Sequence, residues 1–269
     1  MAGSGASRFA LRIAAAITLA FIYIPIAVVL LYSFNASPLV RWPITELTID
    51  WYFRAFRDEG IREALTASLQ AAIGATLVAL LLGTMIAFAV HRFRFFGRDG
   101  ISFLLILPIA LPGIVTGIAL NTTFRTLDID FGLLTVIIGH ATFCVVVIYN
   151  NVIARLRRTA RSTQEASMDL GADTWQTFRS ITLPAMGTSL VAGALLAFAL
   201  SFDEIIVTTF TAGAGTQTLP IWIFANYSRP NQLPLVNVAS VLVLVLSIIP
   251  VYIAARITSD PTAIAGSRS

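Results

Sequence analysis

The stretch RSTQEASMDLGADTWQTFRSITLP, from Arg161 to Pro184, carries helix-start and helix-stop signals although it lies between two long apolar runs. Ser162 and Glu165 have the spacing of a capping box, in which a hydroxyl and a carboxylate bond the free N–H groups of a first turn. This spacing predicts a helix that runs to Leu170. Gly171 then supplies the left-handed conformation that commonly ends helices.

The second half of the stretch repeats the start signal. Asp173 precedes Gln176 by three residues, which predicts a second short helix, and Pro184 is expected to close the unit. Two interpretations remain open: an amphipathic segment that rests on the membrane surface, or a two-helix element that docks into a groove of another protein. The apolar residues available for docking are Met168, Leu170, Trp175 and Phe178.

The flanking runs belong to a chain with a membrane composition. Its 269 residues are 57% hydrophobic and 12% charged, against roughly 25% charged in an ordinary soluble domain. Since runs of about 20 apolar residues cross a bilayer as helices, we predict an all-α membrane protein with six transmembrane helices. The predicted spans are 13–34, 64–90, 101–124, 133–154, 188–210 and 237–257, within a single transmembrane domain of residues 1–269 that contains a cytoplasmic loop at 155–187.

The charges indicate an orientation and exclude several functions. All 18 basic residues are arginine, and if both termini are cytoplasmic most of them fall on the inner side, as the positive-inside rule requires. The inner arginines are Arg8, Arg12, Arg92, Arg94, Arg98, Arg155, Arg157, Arg158, Arg161, Arg179, Arg256 and Arg268. Without lysine there is no GxxxxGK[ST] phosphate loop, so ATP hydrolysis would belong to a partner. The arginines flank the spans, which gives a nucleic-acid partner no support.

The spacing within the opening stretch resembles a known signature. The pattern EAS-x3-G-x9-ITLP, residues 165–184, is similar to the EAA signature of ABC-importer permeases, EAA-x3-G-x9-I-x-L-P. Ser167 replaces the second alanine, a small residue for a small residue. The block from Leu200 to Phe210, with Thr218-Leu219-Pro220 and the segment Pro108 to Leu120, resembles the second permease of spermidine/putrescine-type importers.

This resemblance implies a type I ABC importer permease of MetI-like architecture in the bacterial inner membrane. The implied partners are two ABC ATPase subunits, a second homologous permease, an extracytoplasmic substrate-binding protein and a small cationic substrate. The chain would itself be no enzyme and would carry no cofactor, and with two histidines and one cysteine we expect no metal site. The residues implied to couple the permease to the ATPase are Glu165, Ala166, Ser167, Asp169, Gly171, Ile181, Leu183 and Pro184.

Two adjacent carboxylates, Asp203 and Glu204, interrupt the fifth apolar run. An ionised side chain in the middle of a membrane helix costs about 2.5–3.5 kcal/mol on insertion scales, so the pair requires an explanation. Neighbouring positions on a helix point about 100° apart, which predicts that at most one carboxylate faces a cavity. The pair either meets a cationic amine on a transport path, or bonds an arginine or backbone groups, or serves as a gate or folding device.

Four further residues are candidates for the same substrate path: Thr208, Asn121, Trp222 and Tyr227. Hydroxyl and amide groups can bond an amine, and aromatic faces attract cations. For Asn121, capping of a helix is an alternative role. His140 is expected to be a hydrogen-bonded core histidine.

The favoured function is ATP-driven, alternating-access import of polyamines or related small cationic amines. Alternatives are an ABC permease for an aminophosphonate or amino acid, an ion-coupled secondary carrier, and an intramembrane hydrolase that uses Ser189 with His140, or Asp203. Ser189 lacks the following glycine of a GxSxG elbow, and no internal repeat supports the carrier.

Overall fold

A computed structural model describes residues 5–39, 41–93, 95–158 and 161–259, and in these ranges the regular structure is helical apart from one isolated bridge between Asn35 and Leu47. The helices are α1 (Gly5–Ser33), α2 (Asp50–Arg57), α3 (Glu59–Arg92), α4 (Arg98–Ala110), α5 (Gly113–Thr126), α6 (Leu133–Arg158), α7 (Arg161–Asp169), α8 (Thr174–Thr177), α9 (Leu183–Phe202), α10 (Ile206–Thr211), α11 (Leu219–Asn226) and α12 (Leu233–Ser259). A π-helical turn at Phe178–Thr182 joins α8 to α9, and a 3₁₀ turn at Pro230–Gln232 precedes α12.

Five continuous helical segments among the described residues are long and apolar enough to cross a membrane. They are Phe9–Ser33, Glu59–Arg92, Leu133–Arg158, Thr174–Phe202 and Pro230–Thr258. Continuous helices satisfy their own backbone hydrogen bonds, which lipid requires. The all-α prediction is therefore confirmed.

The third predicted span, 101–124, is not one helix. Leu111 has ψ 142° and Pro112 has ψ 132°, so the backbone is extended between α4 and α5. A residue before proline avoids the helical region because the pyrrolidine ring clashes with it, and Leu111 occupies that position. Pro108, four residues earlier in the same span, lies inside α4. The break thus falls at Pro112 and not at Pro108.

The fifth predicted span, 188–210, is also interrupted. Its helix begins earlier, at α8, and ends at Phe202, and α10 begins only at Ile206. The Glu204 carboxylate accepts a hydrogen bond from the Val207 N–H at 2.9 Å. In a continuous helix this N–H would bond a backbone carbonyl, so the side chain replaces that acceptor. The acidic pair therefore lies between two helices instead of within one.

The chain divides into two compact units. One comprises Met1–Arg62 with Trp222–Leu242, and the other comprises Glu63–Ile221 with Val243–Ser269. In the first unit α2 is held at the end of α1, because the Trp51 indole N–H donates to the Asn35 carbonyl at 2.9 Å and the Tyr52 and Phe34 rings lie 5.1 Å apart.

Helix α6 is the core of the second unit. It is the most buried of the five candidate spans, and Ile148, Val152 and Leu156 on it are fully buried. Two glycines allow close packing on it: a Cβ at Gly83 of α3 would lie 2.9 Å from the Ile148 Cβ, and one at Gly193 of α9 would lie 3.2 Å from the Ile148 Cδ1. Helices α3 and α9 thus approach α6 closely, and α6 sets the position of the segments that carry the acidic pair.

Candidate functional site

The acidic pair forms a short connection between α9 and α10. The Asp203 N–H donates to the Ala199 carbonyl at 3.3 Å and so closes the last turn of α9. The Thr208 hydroxyl donates to the Glu204 carbonyl at 2.8 Å, in addition to the bond between the Glu204 carboxylate and the Val207 N–H. Glu204, which precedes the N-cap residue Ile205, consequently bonds the first turn of α10 through both its carboxylate and its carbonyl. Among the described residues, the Asp203 carboxylate has no hydrogen-bond or ion-pair partner.

Asp203 and Glu204 both line one cavity of about 590 Å³, within the size range of ordinary small-molecule sites. Its lining residues are Val147, Leu196, Ala199, Leu200, Asp203, Glu204, Ser247 and Val251. The prediction that at most one carboxylate faces a cavity assumed a continuous helix with a rotation of about 100° per residue. That premise does not hold, because the backbone leaves the helix at Asp203.

The cavity combines an apolar wall with a polar end. Leu196 and Leu200 of α9 and Val251 of α12 contribute aliphatic side chains, whereas the two carboxylates contribute negative charge. The Ser247 hydroxyl is buried and has no hydrogen-bond partner among the described residues. Such a lining suits a cation on an aliphatic chain, because the chain is removed from water while the charge is paired.

Sequence patterns alone did not identify the wall of the cavity. Val147, Leu196 and Val251 belong to three separate apolar runs and have no distinguishing neighbours. Ser247 gave a weak signal as a hydroxyl inside the last apolar run. Their common position depends on how the helices of this unit pack.

Thr208, a predicted path residue, does not line the cavity. It is fully buried, and its hydroxyl lies 2.8 Å from Nε2 of His140. Nδ1 of the same ring lies 2.7 Å from the hydroxyl of Ser201. His140 is fully buried and uses both ring nitrogens, as expected of a core histidine.

Asn121 uses its side-chain amide inside the protein. Its Nδ2 donates to the Phe210 carbonyl at 2.6 Å, and its Oδ1 accepts from Nε of Arg125 at 2.9 Å. The first bond satisfies a carbonyl in the last turn of α10, which that helix cannot satisfy itself. Asn121 therefore bonds the end of α10, which is not the end of its own helix, as the capping alternative had expected.

The two aromatic candidates lie in the other compact unit. Trp222 is buried, and its indole packs so closely that a Cβ on Gly60 would lie 3.0 Å from its Nε1. Tyr227 is exposed, and its ring is stacked on Phe224 with centroids 6.3 Å apart. Of these two, only Tyr227 presents an aromatic face to its surroundings.

A second candidate site is the two-helix element α7–α8, which contains the EAA-like signature. Gly171 has φ +88° and ends α7 as predicted. Asp173 and Gln176 form the predicted capping box, with side-chain to backbone distances of 2.7 and 3.0 Å. The hydroxyls of Ser167 and Thr177 lie 3.2 Å apart and connect the two helices. The element therefore has a defined corner.

Two details of the predicted element are wrong. Ser162 already lies within α7, so it is not the residue that caps this helix. Pro184 does not close the unit, because α8, the π-helical turn and α9 continue through it into the transmembrane segment Thr174–Phe202. The π-helical turn immediately before Pro184 accommodates its missing N–H. The element is thereby joined directly to the helix that ends at Asp203.

The predicted coupling residues are largely accessible. Glu165, Ala166, Asp169, Gly171, Leu183 and Pro184 are exposed, while Ser167 and Ile181 are half-buried. At the corner, Leu170 is 90% exposed and Trp175 is 66% exposed. Trp175 is stacked on Phe178, which in turn packs edge-on against Phe88 of α3 at 4.9 Å. Large exposed apolar side chains on a fixed support are typical of a protein interface.

A helical membrane protein with an EAA-like element and a polar cavity beside a helix break has the features of a transport-system permease. Residues 79–260 match the family described as binding-protein-dependent transport system inner membrane component, and the chain belongs to this family. It is a permease subunit of an ABC importer, and it is not an enzyme, because ATP hydrolysis in such systems belongs to separate ATPase subunits.

Curated relatives extend over most of the chain. This chain is 36% identical over 232 residues to the putrescine transport system permease protein PotI of Escherichia coli K12. The aligned residues cover 83% of this chain and 82% of the relative. It is 32% identical over 244 residues to the spermidine/putrescine transport system permease protein PotC of the same organism, with 90% and 91% covered. A more distant relative, 27% identical over 243 residues, is the putative 2-aminoethylphosphonate permease PhnV of Salmonella paratyphi A, with 88% and 91% covered.

Solved structures share the fold. A bacterial alginate ABC transporter matches with TM-score 0.67 and 17% identity, over 96% of this chain and 98% of that chain. The MetNI methionine ABC transporter matches with TM-score 0.58 and 17% identity, over 79% and 98%. These similarities confirm the MetI-like architecture.

Proposed function

We propose that this permease translocates polyamines, such as putrescine and spermidine, and that Asp203 and Glu204 contact the cationic amine in transit. The observation that carries the proposal is that Asp203 and Glu204 both line one cavity with an aliphatic wall. The relationship to PotI and PotC supports the same substrate class. A polyamine has ammonium groups on an aliphatic chain, and the cavity offers a complement to each part.

The charge of the cavity also favours polyamines over the aminophosphonate named for PhnV. An aminophosphonate carries an anionic group as well as an amine. Two carboxylates on one small cavity would repel that group, since like charges in a partly dehydrated site interact strongly. A polyamine has no such group, and each of its ammonium ions gains from a carboxylate.

The coupling residues of the α7–α8 element are proposed to dock on an ABC ATPase subunit at the cytoplasmic face. In this arrangement both termini are cytoplasmic, a second permease completes the pathway with a second ATPase subunit, and a substrate-binding protein delivers the amine from outside. The exposed Leu170 and Trp175 support a docking role. The continuous helical segment Thr174–Phe202 supports a mechanical link from the ATPase to the acidic pair.

The test is uptake of labelled putrescine and spermidine by the complete transporter in proteoliposomes with saturating binding protein. We expect Asp203→Asn to lower the initial uptake rate about tenfold, because a charge-assisted bond contributes about 1.5–3 kcal/mol. Asp130→Asn is the matched control. Asp130 is exposed, belongs to the same compact unit and does not line the cavity.

Two results would contradict the proposal. One is unchanged uptake in both Asp203→Asn and Glu204→Gln, with normal assembly of the transporter. The other is uptake driven by an ion gradient in proteoliposomes that contain this chain without an ATPase, which would favour a secondary carrier.

A further inference from the structure

A single histidine of α6 connects the two helices that flank the acidic pair. Nδ1 of His140 lies 2.7 Å from the hydroxyl of Ser201 in the last turn of α9, and Nε2 lies 2.8 Å from the hydroxyl of Thr208 in α10. Ser201 precedes the break and Thr208 follows it. The rigid imidazole ring therefore fixes the distance across the segment 203–205.

The contacts of the ring continue to the backbone of the acidic pair. The Thr208 hydroxyl, which lies against Nε2 of His140, donates to the Glu204 carbonyl at 2.8 Å. The contacts therefore form one chain, from Ser201 through His140 and Thr208 to the backbone of Glu204.

We propose that His140 is a positioning residue for transport: by bridging Ser201 and Thr208 it fixes the 203–205 segment and thereby places both carboxylates on the cavity. Its effect on transport rests on the proposed function of Asp203 and Glu204. Its effect on the position of the segment does not depend on that function. The two effects can be measured separately.

Other bonds hold α9 and α10 to α6 independently of His140. The Cys144 thiol donates to the Ala197 carbonyl at 3.4 Å, one turn below the break. The Thr135 hydroxyl lies within hydrogen-bond distance of the Thr211 carbonyl, at 2.7 Å, at the far end of α10. Because these anchors remain when His140 is replaced, the loss of His140 should release the break without detaching either helix.

The chemistry of the bridge suggests a graded series of variants. His140→Asn keeps an acceptor near the position of Nδ1, and His140→Gln keeps a donor near that of Nε2, so each retains one half of the bridge. His140→Ala removes both halves. Ser201→Ala and Thr208→Val each remove the hydroxyl that contacts one ring nitrogen of His140, with little change of side-chain volume. Cys144→Ala is the matched control, since it removes a neighbouring bond between α6 and α9 and leaves the bridge intact.

The first measurement is independent of the substrate. In the complete transporter, the thiol of the Asp203→Cys variant is labelled with a cationic methanethiosulfonate. The protein without this substitution, whose Cys144 is fully buried, gives the background labelling rate. We expect adding His140→Ala to change the labelling rate about three- to tenfold, the shift expected when one or two hydrogen bonds are lost. Smaller changes are expected with Asn or Gln at position 140, and none with Cys144→Ala. Equal labelling rates in all these variants would overturn the proposal.

The second measurement is uptake of labelled putrescine. His140→Ala should lower the uptake rate, and Ser201→Ala should lower it no further when added to His140→Ala, because the Ser201 hydroxyl acts through its bond to His140. If Asp203→Asn leaves uptake unchanged while His140→Ala alters labelling, the substrate role fails and the bridge stands. If His140→Ala does not fold, the Ser201→Ala and Thr208→Val variants test the same bridge. Independent, additive losses from those two variants would then overturn it.

Discussion

Asp203 and Glu204 are neighbours in the chain and line the same cavity, yet they have different local roles. The Glu204 carboxylate bonds the Val207 N–H and caps α10, whereas the Asp203 carboxylate has no partner among the described residues. A substitution at Glu204 is therefore expected to change both the stability of α10 and substrate transport. A substitution at Asp203 is expected to change substrate transport alone.

The first prediction separates these two roles by comparing amide and alanine variants. Glu204→Gln keeps an oxygen that can accept from Val207, and Glu204→Ala does not. The loss of a helix cap costs about 0.5–2 kcal/mol, so Glu204→Ala should unfold at a lower temperature than Glu204→Gln. Asp203→Ala and Asp203→Asn should unfold at the same temperature. Thermal unfolding of the purified transporter measures this, and equal stability of the two Glu204 variants would show that the cap is unimportant.

The second prediction concerns the corner of the coupling element. At Gly171 an added Cβ would meet no atom within 4 Å, but the residue has φ +88°. Gly171→Ala should therefore weaken coupling through backbone strain of about 1–2 kcal/mol, and Gly171→Asn should weaken it less, because asparagine visits this conformation more readily. Gly187→Ala in α9 is the control, since its added Cβ also meets nothing within 4 Å. Stimulation of ATP hydrolysis by the loaded binding protein is the measurement.

The third prediction tests the second capping box. Asp173→Ala removes the acceptor for the Gln176 N–H, which lies 2.7 Å from Oδ1, and should cost about 0.5–2 kcal/mol locally. Asp173→Asn keeps an equally good capping oxygen. We expect the alanine variant to copurify with less ATPase subunit than the asparagine variant. Equal copurification would indicate that docking does not require the start of α8 to be ordered.

The fourth prediction concerns the docking surface itself. Leu170→Ala and Trp175→Ala remove large exposed side chains from the corner. If these side chains enter a groove of the ATPase, each should weaken association by about 2 kcal/mol or more, as central interface residues do. Phe53→Ala is the control, because Phe53 is an exposed apolar residue that lies in α2, outside the element. Unchanged ATPase binding in both corner variants would contradict the docking proposal.

The fifth prediction concerns the packing of α10 on α5. A Cβ at Gly117 would lie 2.5 Å from Cδ2 of Phe210, so Gly117→Ala should destabilise the protein by about 1–3 kcal/mol through overpacking. Adding Phe210→Leu should recover part of that loss. Gly113→Ala, whose Cβ would lie 3.4 Å from Ile206, should be tolerated. Thermal unfolding of the wild-type protein and these three variants provides the test.

The sequence alone determined the membrane class, the all-helical architecture and the corner of the α7–α8 element. These features depend on local physics: apolar runs partition into lipid as helices, Gly171 can adopt φ +88°, and Asp173 caps the helix that starts next to it. The EAA-like spacing is also local, and it led to the family. No long-range contact was needed for any of them.

Tertiary structure decided where helices end inside the membrane segments and which residues meet there. Glu204 could take over the bond of a helical carbonyl because α6 holds α10 beside α9 through His140, a residue more than 60 positions away in the sequence. Val147, Ser247 and Asp203 share a cavity only through packing of separate helices. The hydrophobic pattern of a single helix records that a face is buried, but it does not record which distant side chain will contact that face.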